Sequence, residues 1–221
     1  MLHALGRMRV LGFVALAGAA LFLPAAVAAA WLYPGGTWCD PSAIGHRFWG
    51  NFVCDLLHAT SLNGRPNPGA TVARLGMFAL IGSMASLFAG LPSLWPARRR
   101  VGVAVRCLGL LATLGMIGVP LLPSDRYGAW HGVAVMAAGG PGFVAVALAL
   151  HAQLRSPSTA ATGRVGVAAL AVSAVDMALY VHHWSSRSDC STLLPIVQRF
   201  AMGLTLAWMV ASARDLIRSR V

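Results

Sequence analysis

The chain has 221 residues, 57% of them hydrophobic and only 10% charged, and its formal charge is +11. A soluble domain carries roughly a quarter of its residues as charged side chains, so this composition excludes an ordinary soluble fold and points to a bilayer. The positive charge is not a nucleic-acid footprint, because the arginines stand at the ends of apolar runs, where they set topology.

All 17 basic residues are Arg and all six acids are Asp, which with the Ala and Gly content suggests a high-GC bacterial genome. Val10 to Leu32 is an uncharged run of about 23 residues, enough to cross roughly 30 Å of hydrocarbon at about 1.5 Å per residue. Arg7 and Arg9 precede it and the small residues Ala28 to Ala30 close it, so it also has the form of a signal peptide. A retained first helix is the favoured reading, and both readings place Tyr33 onward outside.

Ala70 to Leu91 is the second span, ended by Pro92, Trp95 and Pro96 ahead of Arg98, Arg99 and Arg100. The third runs from Val101 to Leu122, and the turn-rich stretch Pro123 to Gly128 separates it from the fourth, Ala129 to Leu150. Gly139, Gly140, Pro141 and Gly142 predict a kink or a close helix contact within the fourth. The fifth covers Val165 to Trp184, and the sixth spans residues 195 to 213, with Pro195 in its first turn. With both termini inside, Arg7, Arg9, Arg98, Arg99, Arg100, Arg106, Arg155, Arg164, Arg214, Arg218 and Arg220 are cytoplasmic. Only Arg47, Arg65, Arg74, Arg126, Arg187 and Arg199 are then outside, as the positive-inside rule requires. The expected fold is an all-α polytopic protein of one domain, in a bacterial cytoplasmic (inner) membrane, with an outer cap over residues 33 to 69.

Within that cap, Asn51, Asp55 and His58 fall at i, i+4 and i+7, so a helix over Phe48 to Thr60 would place them on one wet face. The outer side also gathers Asp40, His46, Asp125, His131, Asp176, His182, His183 and Asp189, whereas His3, His151 and Asp215 belong inside. Ionisable groups within spans are costly, by about 2.5 to 3.5 kcal/mol at mid-helix, and turn toward cavities or partners. Asp176 is such a group, with Ser173, Tyr180 and His183 on its face of the fifth span. Two readings of Asp176 stay open: an ion pair with Arg199 on the sixth span, or a functional carboxylate. His58, His131 and His183 with Asp125 or Asp176 form a candidate zinc set, although no HxxxH or HExxH spacing is present. Hydrogen-bonded interfacial histidines are the alternative. Cys39 and Cys190 both lie outside, where a disulfide would persist, while Cys54 and Cys107 read as buried thiols.

The Pro-Gly-Gly after the first span, Asn51-Phe52 with Asp55, and Pro123-Ser124-Asp125 followed by His131 are similar to features of uncharacterised six-helix bacterial and archaeal membrane proteins. That resemblance implies the fold but no activity. Trp38-Cys39-Asp40 with Phe48, Trp49 and Asn51 resembles a pattern of the alkaline ceramidases, membrane amidases that use zinc. The resemblance implies a cation-ligand role for Asp40 alone, because the HxxxH pair of that family is missing here and the pattern follows the first span instead of preceding it.

Two functions are therefore expected from the sequence. One is a metal-dependent hydrolase of a lipid or lipid-linked substrate, with His58, His131 and His183 on the metal, Asp176 or Asp55 as general base and Arg199 facing a substrate anion. The other is a non-enzymatic subunit or small-ligand or lipid binder, in contact with the bilayer or with another membrane protein, whose polar cluster is structural.

Overall fold

The computed structural model describes residues 2–186 and 190–219. Asp189, Arg187 and Arg220, assigned to sides of the membrane above, lie outside the described residues. A backbone in lipid must satisfy its own hydrogen bonds, and these Ala-, Leu-, Val- and Gly-rich runs do so as helices. The helices are α1 (Leu2–Leu32), α2 (Ala70–Gly90), α3 (Arg99–Leu121), the short turn α4 (Ser124–Tyr127), α5 (Ala129–Leu154), α6 (Ala160–Ser186) and α7 (Leu193–Arg218). All but α4 are long and apolar enough to cross a membrane. The protein is all-α and polytopic, and the bilayer is its surrounding.

The apolar runs coincide with these helices, two of them passing the helix end by one residue at Leu91 and Leu122, and the helices differ mainly by running further at their arginine-bearing ends. α1 begins at Leu2, α5 continues to Leu154, α6 begins at Ala160 and α7 continues to Arg218. Hydropathy marks where hydrocarbon stops, while hydrogen bonding carries the helix a turn or two beyond, with arginine stems reaching for water. Pro24, Pro120 and Pro141 sit inside helices. The glycine-rich stretch of α5 is continuous helix, and its use is close contact. A Cβ at Gly139 would lie 2.6 Å from Met177 Cε on α6.

The six long helices form a closed ring. α1 packs on α2, α2 on α3, α3 on α5, α5 on α6, α6 on α7, and α7 returns to α1. Small residues set the α1–α2 seam: a Cβ on Gly18 would collide with the Ala79 carbonyl, and Ser83 Oγ donates to the Ala15 carbonyl at 2.6 Å. α6 is the ring's most lipid-facing member. Only 11% of its apolar window is buried, against 28% or more in the other five.

Residues 33–69 close one end, called here the cap end. They are not the expected amphipathic helix. Between Phe48 and Thr60 the only helical piece is a single 3-10 turn, Val53–Leu57. Local side chains take the backbone donors that a helix would use: Asn51 Oδ1 accepts from Arg47 N at 2.9 Å, and Asp55 Oδ2 from Phe52 N at 2.8 Å. Gly35, at φ +139°, and Gly36, at φ +86°, turn the chain so tightly that side chains there would strike Ala43 and Leu62. One edge of the cap sinks beside the bundle, where Trp49 stacks on Phe200, seven residues into α7, at 6.2 Å.

Candidate functional site

The sequence-predicted residues divide into three places. The first is the joint between cap and bundle. Asn51 and Asp55 are fully buried there and present no wet face. Asn51 Nδ2 donates to the Gly36 carbonyl at 2.7 Å and to Asp55 Oδ2 at 3.0 Å, while Trp38 Nε1 donates to Asp55 Oδ1 at 3.2 Å. Burial raises the Asp55 pKa, against the pull of His58 and of these donors. From below, Arg199 Nη2 donates to the Asn51 carbonyl at 2.7 Å and Nη1 to Gln198 Oε1 at 3.2 Å. Gln198 Oε1 also accepts from Val53 N at 2.7 Å. The Arg199 guanidinium lies over the Phe48 ring, 5.2 Å from its centre.

This corrects three expectations. Arg199 is spent on one cap carbonyl, that of Asn51, and on Gln198 instead of facing a substrate anion, and it does not hydrogen-bond Asp176, whose Oδ1 is buried without a hydrogen-bond partner. Asp55, held by three donors and 1% exposed, is a structural acceptor with no access for a general base.

The second place is the seam between the cap and the α3–α5 turn. His58 Nε2 bonds Ser124 Oγ at 2.7 Å. Asp125 Oδ2 accepts from the backbone of Ala59 and Thr60 at 2.8 and 3.1 Å, and His131 Nδ1 meets the Leu122 carbonyl at 2.9 Å. Asn67 fastens the same strip, its Nδ2 donating to the Leu56 and His58 carbonyls. His183 stands apart, its ring edge-on to Phe52 at 5.1 Å and to Trp38 at 5.9 Å. The proposed zinc ligands His58, His131, His183 and Asp125 are thus not converged on one point. Among the described residues no group of three His, Cys, Asp or Glu side chains is placed to hold a metal ion. Asp40 is also a turn residue, its exposed carboxylate accepting from Ser42 Oγ at 2.6 Å and Ser42 N at 3.0 Å. Those bonds hold its pKa below the ordinary range, the Ser42 hydroxyl contributing most.

Cys39 and Cys190 form a disulfide that ties the cap to the start of α7. Cys54 is a free thiol on the cap's underside, its pKa pushed up to about 12, mainly by burial.

The third place is inside the ring. A cavity of about 350 Å³ runs beneath the cap and is lined by all six long helices together with Val53 and Cys54. That volume lies within the roughly 300 to 1,000 Å³ of small-molecule sites. Its walls are unlike. On the side of α1, α2 and α3 they are apolar, with Phe22, Met84, Phe88 and Met116 among them. On α6 and α7 they carry Ser173, Asp176, Gln198 and Thr205. Ser173 Oγ and Thr205 Oγ1 are 3.4 Å apart across the α6–α7 seam. Of the face predicted for α6, then, Asp176 and Ser173 reach the cavity, while half-buried Tyr180 and His183 are not among the lining residues. Toward the arginine end the bundle tightens around Gln153, fully buried, which accepts from Trp208 Nε1 and donates to Ser212 Oγ, both at 3.0 Å.

Sequence reasoning missed Gln198, Gln153 and Asn67. Gln198 had a legible signal, an uncharged polar side chain inside the sixth predicted span, whereas Gln153 lies beyond Leu150, the predicted end of the fourth. The methionine-rich lining had none, because a methionine facing lipid and one facing a cavity look alike in sequence.

With function to be read from this geometry, comparison with known proteins adds no relative: no family model, no curated protein and no solved structure matches the chain.

Proposed function

We propose that this is a lipid-binding or lipophile-binding protein of a bacterial cytoplasmic membrane, which holds its ligand inside the helix ring beneath the cap. One observation carries the reading: the cavity, lined by six helices and roofed by Val53 and Cys54, of a size to hold a small molecule. Methionines and aromatic rings dominate its apolar wall and suit an adaptable contact with a hydrophobic partner. Both termini lie on the cytoplasmic side in this reading, which the arginines at the end opposite the cap support. A disulfide on the cap supports an oxidising compartment there.

Binding is preferred to hydrolysis because the side chains that would hold a catalytic metal are engaged with Ser124, with backbone groups and with aromatic rings. The test is titration of a polarity-sensitive fluorescent alkyl probe into protein in lipid nanodiscs, wild type beside Ala138→Phe. Ala138 lines the cavity, and the larger ring would occupy it. Saturable binding by wild type, reduced at least about tenfold in a folded Ala138→Phe variant, is expected. Equal binding by both would remove the cavity from consideration.

A further inference from the structure

Among the described residues the cavity wall holds one carboxylate, and it is unusual in having an oxygen left without a hydrogen-bond partner. Asp176 Oδ1 is buried and makes no hydrogen bond. Arg199, the cation whose charge acts on it, gives its hydrogen bonds to the Asn51 carbonyl and Gln198. An acid in a span carries a cost that is ordinarily offset by a donor or a cation. Here Arg199 acts on the carboxylate only through its charge, and no side chain donates a hydrogen bond to Oδ1, although Ser173 sits one turn away on the same face of α6. Gln198 uses its oxygen to bind Val53 N and Arg199. Ser173 and Thr205 are directed at one another. The opposite wall offers only hydrocarbon, thioether and aromatic surface.

We infer that the cavity takes a lipophilic molecule bearing a single hydrogen-bond-donating head, an alcohol or an amine, which meets the Asp176 carboxylate while its apolar body lies against α1, α2 and α3. The inference rests on the binding function proposed above and assigns the chemistry of its ligand. The sides of the site fit that ligand in polarity, with an acceptor on α6 and an apolar surface facing it. The route in also fits. α6 is the helix least buried by the bundle, and at the level of the cavity its seam with α5 is closed by the Met177 side chain against Gly139. An unbranched, flexible thioether side chain moves at low cost, so a lipophile can pass from the bilayer between α5 and α6 without lifting the cap.

Three probes of equal chain length decide the matter by displacement of the fluorescent alkyl probe in nanodiscs: decylamine, decanol and decyl methyl ether. The ether accepts hydrogen bonds but donates none. Wild type is expected to bind the amine or the alcohol at least about tenfold more tightly than the ether. Asp176→Val, close in shape but without the acceptor, is expected to lose that preference while keeping the ether's affinity. Preference for the amine over the alcohol would identify a cationic head, and the reverse a neutral one. Equal binding of all three probes by wild type would overturn the assignment of a donor head and leave the cavity as a binding site. Failure of all three probes, and of the fluorescent probe, to bind wild type would instead overturn the binding function itself. Asp176→Asn serves as the folding control, since it preserves shape and one acceptor oxygen.

Discussion

Arg199, two turns into α7, donates through Nη2 to the backbone carbonyl of Asn51 in the cap, at 2.7 Å and across 148 positions of sequence. The residue is 7% exposed, so a charge inside the bundle is used to hold down a loop. Its removal leaves a buried carbonyl without a donor, which costs about 1 to 3 kcal/mol. Arg199→Leu is expected to lower the melting temperature in nanodiscs by a matching amount, with Arg199→Lys recovering part of it. An unchanged melting temperature in Arg199→Leu would show that the cap is held by other contacts.

Asp55 provides a sharper test of the same joint. Its two oxygens accept from Trp38, Asn51 and Phe52, with the last two sharing Oδ2. In Asp55→Asn one oxygen can still serve that pair, but the new amide then points its hydrogens at the Trp38 N–H. Two donors facing each other in a buried site predict a loss of about 1 to 3 kcal/mol. Chemical denaturation of Asp55→Asn beside Trp38→Phe and the double variant measures it. The double variant should recover most of the loss, because the opposing donor is gone.

Acid should loosen the cap through His46. Its ring is packed edge-on to Tyr33 at 5.9 Å and its Nε2 is buried without a partner. Burial, with the Arg199 charge adding to it, lowers the His46 pKa to about 4. The unfolded chain protonates this ring near its ordinary value of about 6.5 and the folded cap only near 4, so between them the unfolded form binds more protons. Stability from this group is therefore full above about pH 6.5 and is lost as pH falls toward 4. Protease cutting within residues 33–69 should rise over that interval in wild type and rise less in His46→Gln. Parallel profiles for the two proteins would exclude His46 as the source.

Reduction of the Cys39–Cys190 bond should free the cap without unfolding the ring. A cross-link that closes a loop of this length adds about 2 to 4 kcal/mol or more in water. The value expected here is about 2 kcal/mol, since the six helices remain inserted and the unlinked chain is already confined. A thiol reductant should lower the melting temperature of wild type and leave Cys39→Ser unaffected. A fall of equal size in Cys39→Ser would assign the effect to some other group.

The positions of the six helices were legible because the bilayer makes a single demand, an apolar run of sufficient length, and each run here is bounded by arginine, proline or glycine. The cap was not legible. Asn51, Asp55 and His58 have perfect helical spacing, and that spacing misled, because Asn51 and Asp55 bind the backbone of their own segment instead of lying along a helix. The polar residues assigned to the outer half do not gather into one pocket, but fall at the cap joint, at the seam with the α3–α5 turn and in the cavity. Spacing along a helix tells which residues share a face. It does not tell how far down that face a neighbour's side chain reaches, and Arg199 reaches up to the cap while Asp176 stays below it.

The order of helices around the ring has a consequence for biogenesis. Each long helix packs beside the one made just before it, so as synthesis proceeds every new span finds its first neighbour already in the membrane. The exception is the contact of α7 with α1, which joins the last span to the first. The two cysteines of the disulfide are separated by 151 positions and belong to the opening and closing parts of that circle. The cap is translated early yet can be latched only when the final hairpin arrives. Until then the interior lacks both its last wall and its fastened roof, and the covalent bond records that the circle has been completed.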